Sequence, residues 1–242
     1  GMAEYGLVVD HQAMLEDGYT VDQLPFYKKF HKFPREMRFE DGAMLLSLSE
    51  SLSAVRNFGV KAGSEVLIFG AGPMGTAVAT YCKLEGAAYV AIVDNQPARL
   101  ENAKRIARVD QTINFDEQPV ADAVGERRFD VAIDAVGATA VIYQASALLK
   151  PYGVVGSMGV LKKNDLLINA SRLKNNTSVH MLNFPFDEYG AAMDQNIDYI
   201  VSGKIDPADF YSHIVPIDNI HEAMELVRTK KALKVILKIA DQ

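Results

Sequence analysis

From about residue 64 the chain alternates short β-branched apolar runs with amphipathic stretches, a pattern that predicts βαβ units and a parallel sheet. Six strands are expected, at Glu65–Gly70, Tyr89–Asp94, Gln111–Asn114, Asp130–Asp134, Gly153–Met158 and Ser178–Leu182, most of them stopped by a Gly, Asp or Asn. Between them Pro97–Ala107 reads as a helix, because Pro97 suits a first turn and Leu100, Ala103, Ile106 and Ala107 fall on one face. Upstream, Met44, Leu45, Leu48, Leu52 and Val55 recur at helical spacing over Asp41–Phe58. That helix leads into the first strand through the turn Val60-Lys61-Ala62-Gly63 and reads as the joint between two domains. Downstream, Ala191–Val201 and Asn219–Thr229 read as helices, while Ser212–Pro216 and Lys234–Ile239 read as strands outside the parallel series.

Composition narrows the function classes. A chain of 242 residues, half of them apolar, can bury a full-sized core. Its net charge of −6 offers no basic stripe for a phosphate backbone, and no stretch mixes clustered Lys/Arg with stacking aromatics, so nucleic acid is not expected as a partner. The apolar runs are strand-length and no basic segment with an apolar core opens the chain, so a membrane partner is not expected and the cytoplasm is. The single cysteine, Cys82, excludes an intrachain disulfide and reads as buried helix packing.

The chemistry concentrates at Gly70-Ala71-Gly72-Pro73-Met74-Gly75, which follows the strand Val66-Leu67-Ile68-Phe69 and opens the helix Met74–Leu84. Gly70 permits a tight turn, Gly72 lets backbone approach a pyrophosphate, and Gly75 lets helix lie close to strand; the helix N-terminus adds free N–H groups and a positive dipole. The next strand ends in Val93-Asp94, about twenty residues beyond the glycines, where a carboxylate can accept hydrogen bonds from adenosine ribose hydroxyls and repel a 2′-phosphate. The reading is a Rossmann-type domain holding NAD, with Gly70, Gly72, Pro73, Met74 and Gly75 at the pyrophosphate and Asp94, Asn95 and Arg99 at the adenosine end. Arg99 has three readings: a group reaching a 2′-phosphate, a shelf beside the adenine, or a solvated helix residue. The plain alternative for the whole motif is a glycine turn at a strand–helix corner with Asp94 as a cap.

Further segments accompany this motif: Gly1-Met2-Ala3-Glu4-Tyr5, Val60–Gly63, Phe129–Gly137, Leu149-Lys150-Pro151-Tyr152-Gly153, His213–Ile217, Ile220-His221-Glu222-Ala223-Met224 and Lys234–Leu237. In these the chain resembles the medium-chain dehydrogenase/reductase family, in particular its zinc-type alcohol, sorbitol and threonine dehydrogenase branch, over nearly its whole length. The resemblance implies a doubly wound, six-stranded parallel Rossmann sheet over residues 43–184, with remnants of a GroES-like catalytic domain at 1–42 and 185–242. It implies that Val136 and Gly137 flank the adenosine, Gly159 and Val160 the nicotinamide ribose, and Leu182 and Asn183 the carboxamide, with Lys234 touching the pyrophosphate.

The chain departs from the family in its chemistry. The zinc ligands of the GroES-like domain are absent, and Leu46-Ser47 and Ser53 occupy the places of the family's Glu-Pro and His on the joining helix. No metal site is expected, and no catalytic residue is assigned. His31 and Tyr27-Lys28-Lys29 could offer a base but read better as loop, and His11, His180, His213 and His221 lack metal-ligand spacing. Gly1 reads either as an added residue before an initiating Met2 or as the glycine of the family's Gly-x-Ala-Glu-Tyr turn. The first describes a naturally short protein, the second a fragment of a longer enzyme. Two functions follow: a truncated, zinc-free NAD(H)-dependent oxidoreductase acting on a secondary alcohol, polyol or sugar derivative, or a non-catalytic NAD(H)-binding module. Apolar surface left by the missing portion implies a homo-oligomer or a partner chain, the family pairing through Ser178–Leu182.

Overall fold

The computed structural model describes residues 9–24, 34, 35, 37–182, 189–229 and 231–239. Its helices are α1 His11–Glu16, α2 Phe39–Gly42, α3 Leu45–Asn57, α4 Pro73–Leu84, α5 Pro97–Ala107, α6 Val120–Val124, α7 Thr139–Ala147, α8 Tyr189–Val201 and α9 Ile220–Arg228. Its strands are β1 Glu65–Phe69, β2 Tyr89–Asp94, β3 Gln111–Asn114, β4 Phe129–Asp134, β5 Leu149–Ser157, β6 Ser178–Met181, β7 His213–Pro216 and β8 Val235–Lys238. The chain divides into two compact units, Leu46–Ala192 and the combined segments Gly1–Leu45 and Met193–Gln242.

The larger unit is built on a six-stranded sheet in the order β3-β2-β1-β4-β5-β6, every pair parallel. This is the doubly wound α/β fold expected from the alternation of apolar runs. Along β1 the side chains alternate between faces. Leu67 and Phe69 join Val120 of α6 and Ile142 and Ala145 of α7 in one buried cluster. Val66 and Ile68, equally buried, point to the opposite face, the side left for α4 and α5. Strand order reverses between β1 and β4, and their carboxyl ends meet there: the Ala135 N–H donates to the Phe69 carbonyl at 3.0 Å. A dinucleotide crevice forms at such a point in open parallel sheets.

Two elements differ from the expectation. The segment Asp41–Phe58 is not one helix; α2 closes at Gly42 and α3 opens at Leu45. β5 begins at Leu149 rather than Gly153, pairing Phe129 with Leu149 before a register shift, with Tyr152 in the left-handed region at φ 65°. The strands at the C-terminal end, β7 and β8, lie outside the large sheet as expected, and pair with each other in parallel. Cys82 is buried in α4, and burial pushes its thiol pKa far up, so it is inert packing at neutral pH. Among the described residues no helix is long and apolar enough to cross a membrane.

Within the smaller unit, α9 packs on β7 and β8. Asp41 is gripped by the guanidinium of Arg38, with bonds of 2.9 Å to each carboxylate oxygen, and Tyr211 adds its hydroxyl at 3.2 Å. This ties the segment before α3 to the chain after α8.

Candidate cofactor site

The glycine turn is fixed by sterics on two sides. Gly70 stands at φ +100°, a conformation that costs other residues, and donates its N–H to Val93 at 2.7 Å. A Cβ on Gly75 would lie 1.8 Å from the Gly70 carbonyl oxygen, so only glycine lets α4 rise this close to the strand. Gly72 is different. It caps α4, and a Cβ there would meet only the Arg99 guanidinium, at 3.9 Å. The protein's own packing does not demand glycine at this position; the open space above it fits a group laid over the loop. Pro73 takes the first helical position, where its missing N–H costs nothing, and the first-turn N–H groups of Met74 and Gly75 have no intrahelical acceptor.

Asp94 closes the other end of the turn. Its Oδ2 accepts the Ala71 N–H at 2.8 Å, and its Oδ1 accepts the N–H groups of Asn95 and Gln96 at 2.8 and 2.9 Å. Although only 7% exposed, the carboxylate is therefore well solvated by backbone. The capping role weighed as the plain alternative is present, and it coexists with the position a ribose carboxylate needs. Arg99 lies 3.8 Å from Asp94 with its side chain mostly shielded, so it is neither a freely solvated residue nor far from the carboxylate it partly neutralises. Asn95 turns its amide to Asp116 at 3.2 Å.

Across the reversal point, β4 ends in the fully buried Asp134. Its Oδ1 accepts the N–H groups of Val136 and Gly137, both at 2.9 Å, and its Oδ2 accepts the Ser157 hydroxyl at 2.9 Å. The Asp134 carbonyl takes the N–H groups of Met158 and Gly159. One residue thus ties the loops after β4 and β5 into a single rim. Those loops touch backbone to backbone: a Cβ on Gly159 would lie 2.0 Å from the Gly137 nitrogen, and one on Gly137, at φ +84°, would lie 2.3 Å from the Val160 oxygen. The chain beyond is anchored by Asp165, which accepts both the hydroxyl and the N–H of Thr139 at the start of α7; these bonds hold its carboxyl below the usual carboxylate range.

A cavity of about 760 Å³ opens at this rim. Met74, Val136, Gly159, Val160 and Leu182 all line it, so the glycine turn and the three later loops share one space. Gly70 borders it through Val136, 3.1 Å from where its Cβ would be. Asn183 lies outside the described residues, as do Tyr27, Lys28, Lys29 and His31. Lys234 belongs to the smaller unit, where its carbonyl accepts the Ser212 N–H at 2.9 Å. His180 stacks edge-on against Phe58, His213 shares a hydrogen bond with Ser212, and Ser53 is buried in α3 beside Asn57.

Asp134, Ser157 and Glu50 belong to this site without having been singled out from the sequence. Asp134 had a signal available, an acid at a strand end just before a glycine. Glu50, which also lines the cavity, had another: it is the only charged residue in Leu45–Val55.

Together the glycine turn, the acid at the end of β2 and the crevice between β1 and β4 define a dinucleotide-binding α/β domain. The family profile described as zinc-binding dehydrogenase matches residues 73–197. Among curated proteins, the chain is 28% identical over 232 residues to a "Probable D-xylulose reductase A" of Aspergillus clavatus, covering 91% of this chain and 63% of that protein. It is 29% identical over 246 residues to an alcohol dehydrogenase of Cupriavidus necator, covering 98% of this chain and 62% of that one. The chain thus spans less than two thirds of the length of these relatives. In fold it is similar to benzyl alcohol dehydrogenase from Acinetobacter calcoaceticus, with a TM-score of 0.78, 21% identity, and 86% and 59% of the two chains covered. It is likewise similar to an alcohol dehydrogenase from Escherichia coli CFT073 complexed with NADH, with a TM-score of 0.76, 20% identity, and 86% and 62% covered. The chain belongs to the zinc-type medium-chain alcohol and polyol dehydrogenase family, and its sheet is that family's NAD(P)-binding Rossmann domain.

The family's metal is another matter. Among the described residues no three His, Cys, Asp or Glu side chains come together in a way that could hold an ion. The described side chains therefore do not fit a zinc centre.

Proposed function

We propose that this chain binds NAD(H), in preference to NADP(H), as part of an oxidoreductase of the medium-chain type acting on a secondary alcohol, polyol or sugar derivative. Asp94 carries the reading. A buried carboxylate at the end of β2, bonded to Ala71 in the glycine turn, leaves acceptor capacity for ribose hydroxyls and repels a 2′-phosphate. Arg99 softens that repulsion but is already committed to Asp94. Gly72 and the N–H groups of Met74 and Gly75 would receive the pyrophosphate, and the rim of Val136, Gly137, Gly159, Val160 and Leu182 the remaining half of the cofactor. When bound, the nicotinamide supplies a hydride acceptor or donor; the chain's own residues orient it and exclude water with the apolar wall. The substrate class rests on the names of the relatives, a D-xylulose reductase and alcohol dehydrogenases.

A second reading, a non-catalytic NAD(H)-binding module that completes its site with a partner chain, draws on the absence of a metal-binding group among the described residues. In either reading the protein works in the cytoplasm and associates with a second copy or a partner, for which β6, at the edge of the sheet, offers a side that is unpaired among the described residues. Titration calorimetry with NADH and NADPH, with and without a chelator, tests the cofactor assignment. Tight NADH binding indifferent to chelator is the expected result, and binding of neither nucleotide overturns it. Turnover of polyols and secondary alcohols by the chain alone would discard the second reading.

A further inference from the structure

Three of the chain's nine methionines, Met74, Met158 and Met181, stand among the described residues that line the cavity. They come from separate elements: the first turn of α4, the loop after β5 and the last residue of β6. The Met74 sulfur is engaged, accepting the Ser51 hydroxyl at 4.0 Å. Met158 is half-buried in the rim, its N–H held by the Asp134 carbonyl at 3.0 Å, and Met181 is 36% exposed. The residue after Met181, Leu182, donates its N–H to the Ser157 carbonyl at 2.9 Å, so Met158 and Met181 stand on adjoining strand ends.

A thioether packs adaptably in an apolar wall, and it is also a side chain that peroxide converts to a polar sulfoxide. The usual competitor is missing. Cys82 is the chain's single cysteine, and burial in α4 pushes its thiol pKa up, so it offers no reactive thiolate to intercept the oxidant. Two further methionines mark the extremes of access: Met44 is 1% exposed and Met224, on α9, is 59% exposed. A nicotinamide half laid across the carboxyl ends of β4, β5 and β6 covers the part of the wall that carries Met158 and Met181.

We propose that Met158 and Met181 form a peroxide-sensitive modification site, through which oxidation of the protein releases its cofactor. The assignment rests on the NAD(H) reading above and holds for an enzyme and for a binding module alike. A thioether lone pair attacks one oxygen of hydrogen peroxide, and an S–O bond forms as the O–O bond breaks. The departing hydroxide takes the remaining proton and leaves as water, so each sulfur gains one oxygen and loses two electrons. The new S=O group demands hydrogen-bond donors, and the side chains of Val160, Leu161 and Ile168 in the same wall have none. Bound cofactor in turn shields both sulfurs.

Peroxide treatment of the full chain, followed by peptide mass mapping and calorimetric titration with NADH, tests this without any substrate. Sulfoxide is expected at Met158, Met181 and the exposed Met224, with Met44 unmodified. NADH affinity is expected to fall by about tenfold or more in step with the first two. Saturating NAD+ during the treatment should slow oxidation of Met158 and Met181 severalfold and leave Met224 unaffected. The double variant Met158→Leu, Met181→Leu, which conserves volume, is expected to bind NADH equally before and after peroxide, while Met224→Leu stays as sensitive as the native chain. Each protein is compared with itself, so a shift in starting affinity does not blur the result, and the single replacements repeat the comparison where the pair together weakens binding. Full oxidation of Met158 and Met181 with NADH affinity intact, or an equal loss in the double variant, would overturn the modification site and leave the cofactor assignment standing. Binding of neither nucleotide by the untreated native chain would overturn both.

Discussion

Asp94 accepts the backbone N–H of Ala71 at 2.8 Å, joining the end of β2 to the middle of the glycine turn. The same carboxylate holds Asn95 and Gln96, so it shapes the loop after β2 as well as the glycine turn. Asp94→Ala strands three donors and is expected to cost about 2–4 kcal/mol in urea unfolding. Asp94→Asn keeps an oxygen acceptor and the fold. Its signature is in selectivity: the ratio of NADPH to NADH affinity, read by calorimetry, should rise by about tenfold or more because the repulsion of a 2′-phosphate is gone.

Gly72 and Gly75 separate binding from folding. Gly75→Ala drives a Cβ to 1.8 Å from the Gly70 carbonyl, a clash with backbone that only a shift of α4 relieves. A loss of about 3 kcal/mol or more is expected, with a lowered Tm. Gly72→Ala meets only Arg99 at 3.9 Å. Its Tm should stay within a few degrees of the native value, while NADH affinity drops by about tenfold or more as the methyl occupies the space above the loop. Equal effects of the two substitutions on Tm would show that Gly72 serves the fold and not a ligand.

How much of this was legible beforehand depends on range. Gly70–Gly75 and Asp94 could be read because a strand, a tight turn and a helix start are local events written in adjacent residues. The β5 start was not, because Lys150-Pro151-Tyr152 reads as a break, and only pairing of Leu149 with Phe129 across the sheet makes it strand. α7 escaped for the opposite reason. Its exposed positions are Ala140, Gln144 and Ala147, so the outer face is mostly alanine and the helix lacks the polar face that marks an amphipathic period. Asp134 and Glu50 are single acids whose roles exist only once β4, β5 and α3 are assembled around the cavity.

Lys150 ties the amino-terminal end of the sheet, bonding Asp130 at 2.9 Å and Glu65 at 3.0 Å. Burial alone would raise the Asp130 carboxyl, but the Glu65 N–H and the Lys150 ammonium prevail and hold it below the usual carboxylate range. A depressed folded-state pKa contributes stability above the unfolded value and loses it as pH falls through the folded one. Lys150→Ala should therefore cost about 0.5–1 kcal/mol at neutral pH, a modest figure because the pair is partly exposed. Urea unfolding across pH should show the gap between native and variant narrowing as acid protonates Asp130. A gap constant down to the lowest pH at which the chain stays folded would assign the loss to the packing of the lysine stem.

The rim after β4 and β5 depends on one buried acid, and that dependence can be read amide by amide. Asp134 satisfies Val136 and Gly137 through one oxygen and Ser157 through the other. Asp134→Ala leaves two N–H groups and a hydroxyl without partners in a buried setting, a loss of about 3 kcal/mol or more. Ser157→Ala removes a single donor and leaves Oδ1 with both amides, so it should cost about 1–2 kcal/mol. Hydrogen exchange distinguishes the two. Asp134→Ala should raise exchange at Val136 and Gly137 far more than global destabilisation explains, while Ser157→Ala leaves their protection close to native. Because Val136 and Gly159 line the cavity and Gly137 packs backbone to backbone on Gly159, NADH affinity should fall with the same order of severity. Uniform loss of protection across the sheet in both variants would mean that Asp134 supports the unit as a whole and does not set the rim.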